Sequence, residues 1–483
     1  MSFPIAAALL PLLAAVPLGL LGTPRQGAMA NLLLCGVTFL LTLGVFADPG
    51  AGLVHADRLG MLFGALTGFV GLTTACGNLG FVAASLEALS LRRWRLYHAM
   101  FQLVLGACLL GLYADNLGLL WVALEGATIA GTVAVSLTRS ASALEAAWKY
   151  FILGGVGIAL ALFGTMLTYL AAQPALGPGL PAMSFSALAA EGAALNGTLL
   201  TLAFVFLLFG YGTKAALAPL HGWLPDAYAE GPAPVTTAMS GLTLNVALIA
   251  LLRFRHVMQE NASAGGGAMQ PGPFLLTLGL ASLLLAAFSL PRRRDARRFF
   301  GFSSIEHSGL AAFAFGIGGA AAIFGGLLHM ILHTLVKSAL FQALIRAASW
   351  RGSAAPGHYA FAHLRGLAGE QKYLGWALAA AMFALTGMPP SGLFASEFII
   401  ISQTIQRDPL LSLPLGLGMV LCAVPILRHL GPLLFDAPSK PKPAQARVET
   451  GLVALHLLLA FALAFAMPLL LFHLLSGVAA GLK

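Results

Sequence analysis

Nine titratable side chains lie inside apolar stretches of this sequence, where each needs a partner or a task. Glu125 sits in LLWVALEGATIAG. Lys214 and His221 sit in GYGTKAALAPLHGWLPDA. Glu306 and His307 are adjacent in SSIEHSG. His329, His333 and Lys337 recur at i, i+4 and i+8 in LLHMILHTLVKSALF, and Glu397 lies near the end of ALTGMPPSGLFASEF. The spacing of the histidines and Lys337 places them on one helical stripe. Burial and a neighbouring opposite charge act on a protonation equilibrium in opposite senses. A Glu–Lys pair that closes or separates can therefore take up and hand on a proton. Histidine, with an unperturbed pKa of about 6.5, relays protons with little adjustment. A row of Glu, Lys and His at one depth, bridged by water, has the chemistry of lateral proton transfer. His329 alone reads equally well as a hydrogen-bonded structural residue. Glu145 and Lys149, at i and i+4, read as a helix ion pair. Asp226 and Glu230 read as solvated. Asn245, in GLTLNVALIAL, fits either polar packing between helices or a held water.

The elements that must position these groups are membrane spans. Of 483 residues, 59% are hydrophobic and only 9% charged. A soluble surface needs about 25% charge, so the surrounding solvent is mostly lipid. The net charge of +9 does not point to nucleic acid, because the basic residues fall in short loops between apolar runs. Cys35, Cys76, Cys108 and Cys422 all lie in apolar stretches without CxxC spacing. A zinc site, an iron–sulfur cluster or a disulfide framework is therefore not expected. Neither GxGxxG nor GxxxxGK[ST] occurs, so no nucleotide and no cofactor is expected. The first 22 residues lack a basic n-region and read as a first span.

Apolar segments of about 17–25 residues are the transmembrane candidates, and fourteen are expected. They lie near 3–22, 28–47, 59–85, 96–113, 115–136, 148–172, 196–222, 233–256, 272–290, 299–318, 322–347, 373–405, 409–434 and 451–475. Span seven is interrupted by Pro219 and span twelve by Pro389 and Pro390. Proline removes a donor and breaks the ladder, and in lipid such breaks line enclosed or watery cavities. Two breaks five spans apart, each beside an ionisable residue, predict two inverted five-helix repeats. The division expected is 1–95 for helices 1–3, 96–258 and 272–434 for the repeats, and 435–483 for a cytoplasmic loop and helix 14.

Loops after odd spans hold Arg25, Arg92, Arg93, Arg95, Arg139, Arg292, Arg293, Arg294, Arg297, Arg298, Arg346, Arg351, Arg365, Lys372, Arg428, Lys440, Lys442 and Arg447. The other side holds only Arg58, Arg253, Arg255, Arg407 and Lys483. The positive-inside rule then puts both termini on the non-cytoplasmic side of an inner, cytoplasmic membrane. Lys149, Lys214 and Lys337 fall within spans or at their ends and need another explanation.

The runs GTKAALAPLHGWLPDAYAEGPAPV, RRFFGFSSIEHSGL and LLHMILHTLVKSALF resemble the antiporter-like membrane subunits of respiratory complex I, Mrp antiporters and energy-converting hydrogenases. ALEAAWKYFILGGVGIALALFGT and SSIEH look most like the F-type subunit of hydrogenase-4. The resemblance spans roughly residues 95–430. It implies that Glu125 and Lys214 are an ion pair, that Lys337 in the HxxxK pattern with His333 links two half-channels, and that Glu397 lies near the outward exit. It assigns His221 to the PLHGWLPDA signature. Where many complex I relatives have a lysine on span eight, this chain has Asn245. Water, His329 or the Glu306–His307 pair must fill that gap, and without such a bridge the subunit would conduct poorly or not at all. A long lateral helix after span fourteen, as in the distal complex I subunit, is not expected.

The function expected is proton translocation within a multi-subunit redox-driven complex. Its redox centres would lie in partner membrane and peripheral subunits. The alternative is a cation/proton antiporter, with sodium as a possible ion, or an inorganic-carbon-uptake subunit without redox chemistry. A non-conducting scaffold is the third reading.

Overall fold

The computed structural model describes residues 1–350, 359–437 and 448–482. In chain order the helices are α1 (Phe3–Leu20), α2 (Pro24–Gly44), α3 (Arg58–Ala84), α4 (Leu91–Tyr113), α5 (Leu117–Val135), α6 (Ala141–Leu176), α7 (Phe185–Ala190), α8 (Gly197–Lys214), α9 (Trp223–Glu230) and α10 (Ala233–Gly241). They continue with α11 (Thr243–Ser263), α12 (Gly272–Ser289), α13 (Ala296–Ile317), α14 (Ala320–Trp350), α15 (Leu367–Glu370), α16 (Lys372–Ala384), α17 (Gly392–Arg407), α18 (Ser412–Phe435), α19 (Val448–Phe465) and α20 (Leu469–Gly481). Among the described residues the one sheet is a small hairpin, β1 (Gly50–Ala51) and β2 (Val54–His55). Lipid cannot hydrogen-bond a backbone, so the spanning chain satisfies its own polar groups in helices. Short polar side chains close the starts: Asp57, Asn116, Ser140, Asn196, Asp295 and Ser391 each accept from a first-turn N–H.

Among the described residues eleven helices are long and apolar enough to cross a membrane, and twelve if the bent pair α19–α20 is one span. The expected fourteen differ by spans ten and twelve. Those segments are present as α13 and as the pair α16 and α17. The core is α10, α11, α13 and α14, which are buried almost all round. A helix without a polar face belongs in such a position. Small residues let neighbouring helices approach closely. A Cβ at Gly157 of α6 would lie 2.7 Å from Thr213 of α8, and one at Gly279 of α12 would lie 2.6 Å from the Gly309 carbonyl of α13.

The spans carrying Pro219 and Pro389–Pro390 are both broken, whereas α1 and α18 run on through their internal prolines. Between α8 and α9, Ala216 takes a left-handed φ of 58°. The groups freed there find partners. The Trp223 indole N–H donates to the Thr213 carbonyl at 2.8 Å, and the Ala218 N–H donates to Ser282 Oγ on α12 at 2.8 Å. Replacing Trp223 by phenylalanine keeps the ring stacked on Tyr150, now at 4.3 Å, but leaves that carbonyl only neighbouring backbone N–H groups, Ala216 N–H among them at 3.1 Å. Thermal unfolding in detergent should show a loss of about 0.5–1.5 kcal/mol, the net worth of one hydrogen bond; an unchanged melting curve would mean the indole bond contributes nothing net.

Several charges expected in loops or in solvent are structural. Arg253, Arg255 and Arg297 are all buried. They sit inside helices, where their guanidinium groups reach carbonyls left over at other helix ends. Arg253 donates to Leu112 O, Arg255 to Leu482 O, and Arg297 to Gly231 O and Ala229 O. Lys149 pairs with Glu145 at 2.6 Å, as the spacing predicts, but also with Asp226 at 2.8 Å. Asp226 and Glu230 are not merely solvated. Arg298 of α13 pairs with both, at 3.0 and 3.2 Å, and Glu230 is buried and accepts from Ser142. The break before α9 turns its two carboxylates between α6 and α13, where they join three helices. Arg351, Lys440, Lys442, Arg447 and Lys483 lie outside the described residues.

Candidate proton-relay site

The titratable residues form two clusters. In the first, Lys214 is the last residue of α8 and is buried at the helix break. Its ammonium donates to Thr128 Oγ1 on α5 at 2.5 Å and lies 5.8 Å from the Tyr150 ring centroid. The Thr128 hydroxyl donates onward to Leu124 O at 2.7 Å. Gly154 leaves room for the ammonium, since a Cβ there would lie 2.7 Å from Nζ. Glu125 is one turn before Thr128 on the same face. It is within Coulombic reach of Lys214, yet the two are not among the chain's ion pairs within 4.0 Å. One oxygen of Glu125 is buried without a hydrogen-bond partner. The implied ion pair of Glu125 and Lys214 is thus one of charge at longer range, with Thr128 holding the ammonium.

The second cluster joins α13, α14 and α17. Lys337 is wholly buried, donates to Phe300 O at 2.7 Å and lies 5.4 Å from the Phe300 ring centroid. Glu306 lies within its Coulombic reach. His307 Nδ1 and His329 Nε2 are 3.1 Å apart, and His329 Nδ1 lies 3.0 Å from Ser396 Oγ. The His333 ring is 4.7 Å from that of His307.

The protons in this chain can be assigned from its far end. Ser396 Oγ–H is spent on Leu393 O at 2.8 Å, so Ser396 must accept from His329 Nδ1–H. His329 Nε2 is then a bare lone pair and accepts from His307 Nδ1–H. The Nε2 atoms of His307 and His333 are buried without partners. In the neutral state the wire is therefore polarised from His307 toward Ser396. Glu397, beside Ser396, is buried, and His307, His329 and Glu397 each bring a donor atom within 4.8 Å of the others.

The Glu397 carboxylate fills the space over Gly387, which has a φ of 64°. Gly387→Ala would put a methyl where the carboxylate sits and force alanine into the left-handed region, at about 1–2 kcal/mol. The expected result is a subunit that still assembles but loses proton transfer through a displaced Glu397. Full proton transfer in this variant would remove Glu397 from the path.

Asn245 has one clear task. Its amide donates to Thr334 Oγ1 at 2.8 Å, joining α11 to α14. That is packing between helices, and no direct hydrogen bond links the first cluster to the second. His329 is hydrogen-bonded through both nitrogens, so its structural and relay readings describe one arrangement. His221 stands apart in the break between α8 and α9, half-buried, with its Nδ1 3.1 Å from Pro219 O. Thr128 and Ser396 were not singled out by sequence reasoning. Their only signals are positional: Thr128 follows Glu125 by three residues, and Ser396 precedes Glu397 by one.

A groove of about 410 Å³ opens where α14 begins and α17 ends, lined by Ser402, Gln403 and Ser476 among apolar residues. Ser402 lies five residues beyond Glu397, about 7.5 Å along the helix.

A family described as the NADH:quinone oxidoreductase/Mrp antiporter transmembrane family matches residues 114–421. The hydrogenase-4 component F homolog of Methylacidiphilum infernorum is 42% identical over 434 residues, covering 89% of each chain. A chain of respiratory complex I from Thermus thermophilus aligns at 26% identity over 98% of this chain and 99% of its own, with a TM-score of 0.79. A chain of the Mrp complex from Dietzia sp. has the same fold, with a TM-score of 0.82, 20% identity, and coverage of 99% and 97%.

Proposed function

The chain belongs to the NADH:quinone oxidoreductase/Mrp antiporter transmembrane family, and from that membership we propose that it translocates protons within a redox-driven, multi-subunit membrane complex. The observation that carries this reading is the buried chain from His307 through His329 to Ser396, with Lys337, Glu306 and Glu397 buried around it. Redox chemistry in partner subunits would perturb Glu125 and Lys214, electrostatically or by movement. The proton would pass by water to Lys337, along the histidines to Glu397, and out through the groove beside α17. Charged groups at this depth cost roughly 2.5–3.5 kcal/mol each on insertion scales, which supports a working role for Lys214 and Lys337. Odd-to-even loops would face the cytoplasm of an inner membrane, with both termini outside. Residues 96–258 and 272–434 would form the two inverted units, since each holds one broken helix beside a buried titratable group.

Lys214→Met tests the first cluster. The methionine fills the same space and leaves Thr128 bonded to Leu124 O, so assembly should persist. Protons moved per electron pair, measured in proteoliposomes, should fall. A wild-type ratio would remove Lys214 from the mechanism. The fold shared with an Mrp complex supports a second reading, cation/proton exchange. A sodium site wants several converging oxygens, whereas the second cluster sets three histidines and a lysine beside its two carboxylates. Sodium-dependent transport would nonetheless favour exchange.

A further inference from the structure

We infer that His307, His329 and Glu397 form a zinc-binding site on the arm of the relay that leads to Glu397. The three residues come from α13, α14 and α17, and their donor atoms lie within 4.8 Å of one another. All three are at least nine-tenths buried. Tetrahedral zinc, with bonds of about 2.0–2.2 Å, needs donor atoms roughly 3.3 Å apart. His307 Nδ1 and His329 Nε2 already stand at 3.1 Å. The Glu397 carboxylate stands within 4.8 Å of a donor atom of each and closes the remaining distance on binding.

The donor set selects the ion. Two imidazoles and one carboxylate suit a borderline divalent metal, not sodium, magnesium or calcium, which want several oxygens. The surrounding shell is also in place. Ser396 accepts from His329 Nδ1 and so leaves Nε2 free as a ligand, the usual role of a partner behind a metal-bound histidine. His307 becomes a ligand through Nδ1 when its proton moves to Nε2, or directly through Nε2. That Nε2 atom, like His333 Nε2, is buried without a partner. The His333 ring lies 4.7 Å from that of His307, beside the three ligands. Lys337 faces the same cluster and opposes the cation, while Glu306 offsets it.

Zinc held here would take the lone pair through which His329 receives its proton, and would block transfer. That consequence rests on the relay reading, whereas binding does not. The test uses the assembled complex, incubated with zinc chloride, desalted and analysed for metal. The wild type should retain one more zinc per copy of this chain than His307→Asn or Glu397→Gln. Ser396→Ala should bind with about 10–100-fold lower affinity. Cobalt on the wild-type complex should give tetrahedral absorption, a readout that needs no variant to fold. Equal zinc in wild type and both variants, or absence of tetrahedral cobalt bands, would overturn the site. Zinc bound without loss of proton transfer would leave the site standing and overturn the relay reading instead.

Discussion

Replacing Lys337 by methionine should reduce driven proton transfer about tenfold or more, the scale at which a positioned acid–base group acts. The variant should still fold. A buried ammonium costs roughly 2.5–3.5 kcal/mol in the membrane, and methionine of similar length removes that cost. The Phe300 carbonyl that Lys337 contacts lies inside α13, where it keeps its helical partner and the Ser304 hydroxyl. No backbone group is orphaned. Lys337→Arg should not rescue, because a guanidinium holds its proton at any working pH. Proton flux measured in proteoliposomes, with assembly checked by gel filtration, separates the outcomes. Undiminished flux would place Lys337 outside the path.

Arg253→Leu should act in the opposite way, on stability and not on stoichiometry. Arg253 grips Asp57 in a fork, at 2.8 and 3.1 Å, and donates to the Leu112 and Ala114 carbonyls. Asp57 in turn caps α3 through Gly60 N–H at 2.6 Å. One side chain thus ties α11 to the start of α3 and the end of α4. Asp57 is 44% exposed and regains water when the arginine leaves, so the loss comes mainly from the two carbonyls. Each costs about 1–3 kcal/mol when orphaned. The melting temperature of the complex should fall, while the protons moved per electron pair in surviving complex stay the same. An unchanged melting temperature would show that the fork contributes nothing net.

The spans were readable because lipid demands long apolar runs, and the two broken helices because their prolines stand beside ionisable residues; proline alone does not mark a break, since α1 and α18 continue through theirs. The buried titratable residues stood out because each is expensive where it lies. Spans ten and twelve fall short as single apolar helices for opposite reasons: α13 carries the polar residues of the site, and α16 with α17 is divided by the break before Gly392. What stayed hidden depends on which helix faces which. The bond between His307 and His329 joins residues 22 apart on two helices, and nothing in either segment announces it. Arg253 and Arg297 look like loop charges until the carbonyls they cap are seen. Asp226 and Glu230 look solvated until the turn after Lys214 brings them to Arg298. Thr128 is an ordinary helix residue by sequence, and only the arrival of Lys214 gives it a role.

The central claim is that protons cross this chain through its two clusters. The direct measurement is the number of protons translocated per electron pair by the assembled complex in proteoliposomes, comparing wild type with a Lys214→Met, Lys337→Met double variant. A conducting subunit predicts a lower ratio in the double variant, by this chain's whole share. An unchanged ratio at equal redox turnover would contradict it and make the chain a scaffold of the membrane arm.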